Sequence, residues 1–393
     1  MRLSQRARGI SLSITLALDA RAKALAEAGA DVVNMSVGEP DFEAPQVARQ
    51  AASERALSGP VRYTAAGGTP SLRKAIAAQL QRTRGVTYTP ADVVVCHSTK
   101  HALSGTVLAV VDPGDEVLLI LPAWVSYAEI VRVAGGKPVE VPPRPDLGPD
   151  FDAIRRAITP RTRVVLLNTP SNPSGYVWSR AEVAELVRLA IQHDLWIVSD
   201  EIYRRLVYEG EPNVSPVEID PTARERTVVL DGASKAYAMT GYRIGFAAGP
   251  RAVIDSVVAL HSQLTGAPNA VSQAAYQAAL EESDGEPPEV RAMAAEFDRR
   301  RRIVLAALER MGLPTPRPRG AFYTFSDVSP WLDERGSVGF CEDLLESQRL
   351  ALVPGSAFGM DQYVRLSYAA SIEQIEEALR RLDAFLRSRP HRS

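Results

Sequence analysis

From residue 93 onward, short β-branched runs alternate with stretches of helical period, and this alternation leaves few architectures open to the chain. The runs are VVVC (93–96), EVLLIL (116–121), KPVEV (137–141), RVVLLN (163–168), LWIVSD (195–200) and TVVLDG (227–232). Continuous apolar strands separated by helices describe a sheet covered on both faces, so the expectation is an α/β fold with a mostly parallel sheet flanked by helices. Ser179 followed by Glu182 marks one helix start, with Val183, Leu186, Val187 and Ala190 at helical spacing behind it. The turn Asp112-Pro113-Gly114-Asp115 parts another helix from its strand.

A chain of 393 residues outgrows a single core, which stops growing at roughly 250–300 residues. The texture changes at 281–288, EESDGEPP, before an Arg-rich helical pattern over 289–311. Beyond it lie apolar runs at 321–325, 351–355 and 363–368 and a last helix from near Ser371. The expected organisation is an N-terminal arm and part of a small domain over 1–45, a large domain over 46–285, and a smaller α+β domain over 286–393.

Charge excludes some function classes. With 45 basic and 47 acidic side chains the formal charge is -2, which gives no field favouring nucleic acid or an anionic membrane. Cys96 and Cys341 provide neither a disulfide framework nor metal-ligand spacing, so a cytoplasmic protein without a metal is expected. Arg2, Arg6 and Arg8 precede an apolar run from Ile10 to Leu18, but Asp19, Arg21 and Lys23 close that run without a small-residue cleavage pattern. No other segment approaches the ~18 apolar residues of a membrane span. His97 and His101 have i, i+4 spacing but lack a third ligand, and the run Arg299 to Arg302, beside Glu296 and Asp298, reads as a solvated helix face.

In an open α/β sheet, ligands gather outside the carboxyl ends of the strands. There the sequence places Asp200-Glu201-Ile202-Tyr203 after one strand and Gly232-Ala233-Ser234-Lys235 after another, with Arg243 eight residues on. Taken singly, Asp200 is also a turn cap and Lys235 also a solvated amine. A lysine that attacks an aldehyde needs a long reach and surroundings that depress its pKa, and a small-residue loop provides both. Ser98-Thr99-Lys100, between the strand VVVC and a helix, offers backbone N–H groups to a phosphate, to which Arg243 adds a guanidinium. The turn from Asn168 to Gly175, with Pro170 and Pro173, presents amides toward the same edge.

In order and spacing, Asn172-Pro173-x-Gly175, Asp200-x-x-Tyr203, Ser234-Lys235 and Gly241-x-Arg243-x-Gly245 resemble the pattern of fold-type I pyridoxal-phosphate aminotransferases. The resemblance extends to Gly38-Glu39-Pro40-Asp41-Phe42, Tyr63, Pro122-x-Trp124, Gly320-Ala321-Phe322-Tyr323 and Val364-Arg365-Leu366-Ser367, and so covers almost the whole chain. Trp124-Val125-Ser126-Tyr127 and Ala238-Met239-Thr240-Gly241 are most similar to the bacterial aspartate aminotransferase branch, which includes aspartate/prephenate enzymes.

The resemblance implies that Lys235 carries pyridoxal 5'-phosphate as a Schiff base and then shuttles a proton. Asp200 pairs with the pyridine nitrogen. Tyr203 and Asn172 serve the ring's 3′ oxygen, and Trp124 covers the ring face. Ser98, Thr99, Ser234 and Arg243 hold the phosphate, with Lys100 as a further cation of that loop, and Tyr63 reaches the phosphate of a neighbouring subunit in a homodimer. Arg365 grips the substrate carboxylate with Asn172, Trp124 and the backbone at Gly38. Lys100, Ser13 and Thr15 match positions that contact a distal carboxylate, which favours L-aspartate as amino donor and 2-oxoglutarate as acceptor. Ser11 stands where prephenate users tend to have a basic residue, and Ser98-Thr99 where close relatives often carry glycines. Aromatic, alanine or prephenate substrates, a β-lyase, and a cofactor-binding regulator remain as alternatives.

Overall fold

The computed structural model describes residues 2–10, 14–209 and 213–389. Strands are numbered along the chain: β1 (Val33–Asn34), β2 (Val93–Cys96), β3 (Glu116–Ile120), β4 (Lys137–Val141), β5 (Thr162–Asn168) and β6 (Trp196–Asp200). They continue as β7 (Thr227–Gly232), β8 (Gly245–Ala248), β9 (Tyr323–Asp327), β10 (Leu350–Ala351), β11 (Val353–Pro354) and β12 (Tyr363–Ser367). Seven of them form one sheet in the order β2-β8-β7-β6-β5-β3-β4. All its pairings are parallel except those of β8, which runs against both β2 and β7.

The apolar runs become these strands because both faces of the sheet are covered. Val93, Val95, Val229 and Phe246 pack on one side with Leu72, Ile76 and Leu80 of the helix Pro70–Arg84. Val94, Val117, Val198 and Val228 pack on the other with Leu103 and Val107 of the helix Thr99–Val110. Each interleaved helix has a local stop and start: Thr69 accepts a bond from Leu72 N and Gly85 closes the same helix at φ 65°, while Ser179 and Glu182 form the expected capping box of Arg180–Gln192.

A second region stands over the carboxyl edge of this sheet. It holds the antiparallel sheet β11-β12-β9, the short parallel pair β1-β10, and the helices Pro288–Arg310, Gly336–Gln348 and Ile372–Ser388. Its core includes Met35, Phe297, Phe322, Leu344, Tyr368 and Phe385 and takes in Ile202 and Tyr203, which follow β6. The two regions are thus packed together where the chemistry was sought.

One expectation is corrected here. Arg299 to Arg302 is not a uniformly solvated face, because Arg301 is fully buried and Arg300 nearly so. Arg301 donates to Asp298, to Glu209 and to the carbonyl of Pro318. Arg300 forks onto Asp41 at 2.7 and 2.9 Å. Carboxylates far away in sequence make that burial tolerable, and a single-helix reading does not see them. No helix among the described residues is long and apolar enough to cross a membrane.

Candidate active site

Asp200 ends β6 and Asn168 ends β5, side by side in register. Gly232 ends β7, so the following turn carries Ser234 and Lys235 to the same edge, and Ser98-Thr99 follow β2 there. Arg243 arrives by the opposite logic: it precedes β8, and because β8 is antiparallel its beginning lies where its neighbours end. These elements enclose one cavity of about 180 Å³ lined by Ser98, Thr99, Lys100, Trp124, Asn172, Asp200, Tyr203, Ser234, Lys235 and Arg243, together with Tyr127, Asn168, Ile202 and Thr240.

Close backbone approach forms one wall. Gly232 and Gly245 face each other across β7 and β8. A Cβ on Gly245 would stand 2.5 Å from Thr99 N, and one on Gly232 would stand 2.7 Å from Thr99 Oγ1. Ser98 caps the helix Thr99–Val110, its Oγ accepting from His101 N at 3.1 Å, which leaves the first backbone N–H groups of that helix at the cavity. Arg243, at φ 52°, donates to Thr240 O at 2.8 Å.

Lys235 Nζ donates to the carbonyl oxygen of Gly38 at 2.5 Å. Loss of water around the amine brings its pKa down to about 8, with Arg365 and Arg243 pushing the same way against Glu39 and Asp200. Asp200 moves upward, to about 6, because it is buried. Its Oδ2 accepts from Tyr127 OH at 2.8 Å and its Oδ1 from Ile202 N at 3.2 Å, both of which favour the charged form. Asn168 Nδ2 holds the Asp200 backbone carbonyl at 3.0 Å, and Asn168 Oδ1 accepts from Asn172 N at 2.9 Å, which ties the 168–175 turn to β6.

Arg365 projects from β12, the middle strand of its sheet. Its Nη1 donates to Asn172 Oδ1 at 2.9 Å and its Nη2 to Ser36 O at 2.6 Å, with the guanidinium 4.5 Å from the Tyr323 ring centroid. Tyr203 and Tyr323 share a hydrogen bond of 2.8 Å between their hydroxyls. Lys100 Nζ stands 4.7 Å from the centre of the Trp124 ring, and both burial and Arg243 lower its pKa.

Tyr63 is not brought to this cavity and is 99% exposed. Ser11 and Ser13 lie outside the described residues, as does the side chain of Thr15. Tyr127, Asn168 and Tyr323 hold the site together without having been assigned a part from the sequence. Tyr127 and Tyr323 lay within motifs of the resemblance, and Asn168 was the polar residue closing an apolar strand.

The donor set fits pyridoxal phosphate. Asp200 is a buried carboxylate whose hydrogen-bond partners among the described residues are all neutral, so a cationic ring N–H would complete it. Thr99 Oγ1 and Arg365 Nε are buried without a hydrogen-bond partner among the described residues, one in the wall expected to hold a phosphate and one in the residue expected to hold a carboxylate.

Comparison with known proteins agrees with this geometry. A family model described as aminotransferase class I and II matches residues 30–382. The chain is 43% identical to a probable aspartate/prephenate aminotransferase of Thermus aquaticus, over 96% of this chain and 98% of the relative. It is 40% identical to an aspartate aminotransferase of Rhizobium meliloti, over 97% and 95%. Among solved structures it is similar to the aspartate aminotransferase of Thermus thermophilus with maleate, at a TM-score of 0.94 and 41% identity, covering 98% of this chain and all of the other. Such agreement over nearly the whole length of both partners makes the chain a member of the class I and II aminotransferases.

Proposed function

We propose that the protein is a pyridoxal-phosphate-dependent aminotransferase that exchanges the amino group of L-aspartate with 2-oxoglutarate in two half-reactions. The observation that carries this reading is a pair of groups facing one cavity with pKa values moved in opposite senses: the Lys235 amine down to about 8 and the Asp200 carboxyl up to about 6. Environments that drive two titratable groups toward neutral pH are what acid–base chemistry requires.

When bound, pyridoxal phosphate supplies an electron sink conjugated to the substrate amino group. Asp200 would hold its ring nitrogen protonated. Ser98, Thr99, Ser234, Arg243 and the start of the helix Thr99–Val110 would hold its phosphate, while Trp124, Asn172 and Tyr203 would orient the ring. Lys235 Nζ takes the proton from the substrate Cα and returns it on the far side of the exchange, with a pKa suited to both directions. Arg365, fixed by Asn172 and the Ser36 carbonyl, receives the α-carboxylate as a fork. Lys100 would meet a second carboxylate, a reading supported by its place over Trp124 and by a structural neighbour solved with maleate, a dicarboxylate. The exposure of Tyr63, outside its own chain's cavity, supports a homodimer in which it serves the partner's phosphate.

The test is spectroscopic. Protein loaded with the cofactor should lose its visible absorption on adding L-aspartate and regain it with 2-oxoglutarate, and absorption that no amino acid alters would overturn the reading. Lys100→Ala should cost more with aspartate than with an aromatic donor; equal losses would remove Lys100 from substrate selection. Acceptance of prephenate is a second reading, supported by the name of the Thermus aquaticus relative.

A further inference from the structure

Away from the site described above, a second cavity of about 410 Å³ opens between the end of the helix Pro70–Arg84, the residues after β6 and the start of the helix Pro288–Arg310. Five arginines line it: Arg82, Arg84, Arg204, Arg205 and Arg291. Two are neutralised in the floor. Arg84 pairs with Glu201 at 2.7 Å and Asp231 at 3.0 Å, and Arg204 with Glu218 at 2.9 Å. The rim is different. Arg205 and Arg291 share a single carboxylate, Glu286, at 3.0 and 4.0 Å. Arg82 forms no ion pair among the described residues and donates only to Gln79 Oε1 and the carbonyl of Leu280.

Three guanidinium groups stand against one carboxylate at the rim and two against three in the floor, so the concave space as a whole keeps one positive charge in excess, concentrated at its mouth. The helix Pro288–Arg310 begins there, with Arg291 in its first turn; because Pro287 and Pro288 carry no N–H, the field at this end comes from the side chains. Tyr237 and Tyr276 give the cavity apolar surface, with the Arg205 guanidinium 5.4 Å from the Tyr237 ring centroid.

We propose that this cavity binds a small polyvalent anion, carrying two or more carboxylate or phosphate groups, through Arg82, Arg205 and Arg291. The site stands on its own geometry and does not depend on the reading of the first cavity. It does touch that cavity's framework, because Ala236 and Tyr237, which line it, directly follow Lys235 in the chain.

The experiment is isothermal titration of the cofactor-loaded protein with citrate and, separately, with inorganic pyrophosphate. These two arms decide between a carboxylate and a phosphate ligand. The expected result is saturable binding of at least one of them at one site per chain. The double substitution Arg82→Ala/Arg291→Ala should weaken it tenfold or more, while Arg243→Ala leaves it within twofold. Both rim arginines are exposed, and an unchanged melting temperature would show that the double variant folds; should it not, Arg82→Glu alone provides the same readout. Failure of both anions to bind, binding untouched by the rim substitutions, or binding lost in Arg243→Ala would each overturn the proposal. The last outcome would place the anion in the first cavity.

Discussion

Asp200 and Glu201 are neighbours in the chain and both are buried carboxylates, yet they have opposite fates. Side chains alternate across a strand, so the end of β6 sends one toward the cavity and the other into the framework. Glu201 meets Arg84 at 2.7 Å, accepts from Ser199 at 2.9 Å and from Ser215, and despite its burial is held below the usual carboxylate range. Among the described residues Asp200 meets only a phenol and a backbone N–H, and burial raises it to about 6. A buried charge whose partners are complete belongs to the architecture; one whose partners are incomplete faces the place where a ligand completes it.

The comparison is sharpened first on the cavity side. Lys235→Ala should lower amino exchange by roughly 10⁴-fold, the scale of losing a positioned acid–base group, and leave the melting temperature close to wild type. Asp200→Asn should follow, with kcat down by about 10³-fold, a loss typical of removing a preorganised electrostatic partner. With no cofactor bound, that same variant should be more stable than wild type near pH 7. The reason is one of sign: a carboxyl raised from 3.8 to about 6 costs the folded state stability as pH rises through that window, and an amide has no such cost.

On the framework side the signs reverse. Glu201→Gln leaves Arg84 buried beside only Asp231 and should cost about 3 kcal/mol, read from the midpoint of urea unfolding. Because its folded pKa is lowered, Glu201 contributes stability above its unfolded value of 4.5 that is lost as pH falls through the folded value. Wild type and Glu201→Gln should therefore converge in acid. An intact Glu201→Gln protein with kcat as low as that of Asp200→Asn would break the comparison outright. The smallest effect is expected from Tyr127→Phe. Removing a donor to the charged carboxylate raises the Asp200 pKa further, so kcat should fall about fivefold, near the worth of one hydrogen bond, with the acid limb of the rate profile moving to higher pH.

What was legible in the sequence follows the sheet. A parallel strand announces its own end, and Ser98, Asn172, Asp200 and Lys235 each lie just beyond an apolar run. Arg243 was found by its spacing after Lys235 and by its place in a family pattern, but the way it reaches the cavity was not, since the antiparallel direction of β8 is a tertiary fact. Tyr127 stood in a motif, but its bond was hidden because it sits inside a helix, 73 residues from the carboxylate it serves. The Arg84–Glu201–Asp231 cluster and the buried Arg300 and Arg301 were hidden for the same reason: ion pairs across 92 residues or more leave no local trace.

The contact of Gly232 and Gly245 with Thr99 bears on how such a site can be retuned. With backbone already 2.5 Å from the position of an added methyl at Gly245, that wall has no slack, and a larger residue there would displace the loop that aims Thr99. Trp124 and Lys100 line the same cavity with side chains rather than main chain, so they can be exchanged without that clash. Redesign for a new amino donor therefore has one side to work on, and libraries built on the glycine side should return mainly proteins that no longer retain the cofactor.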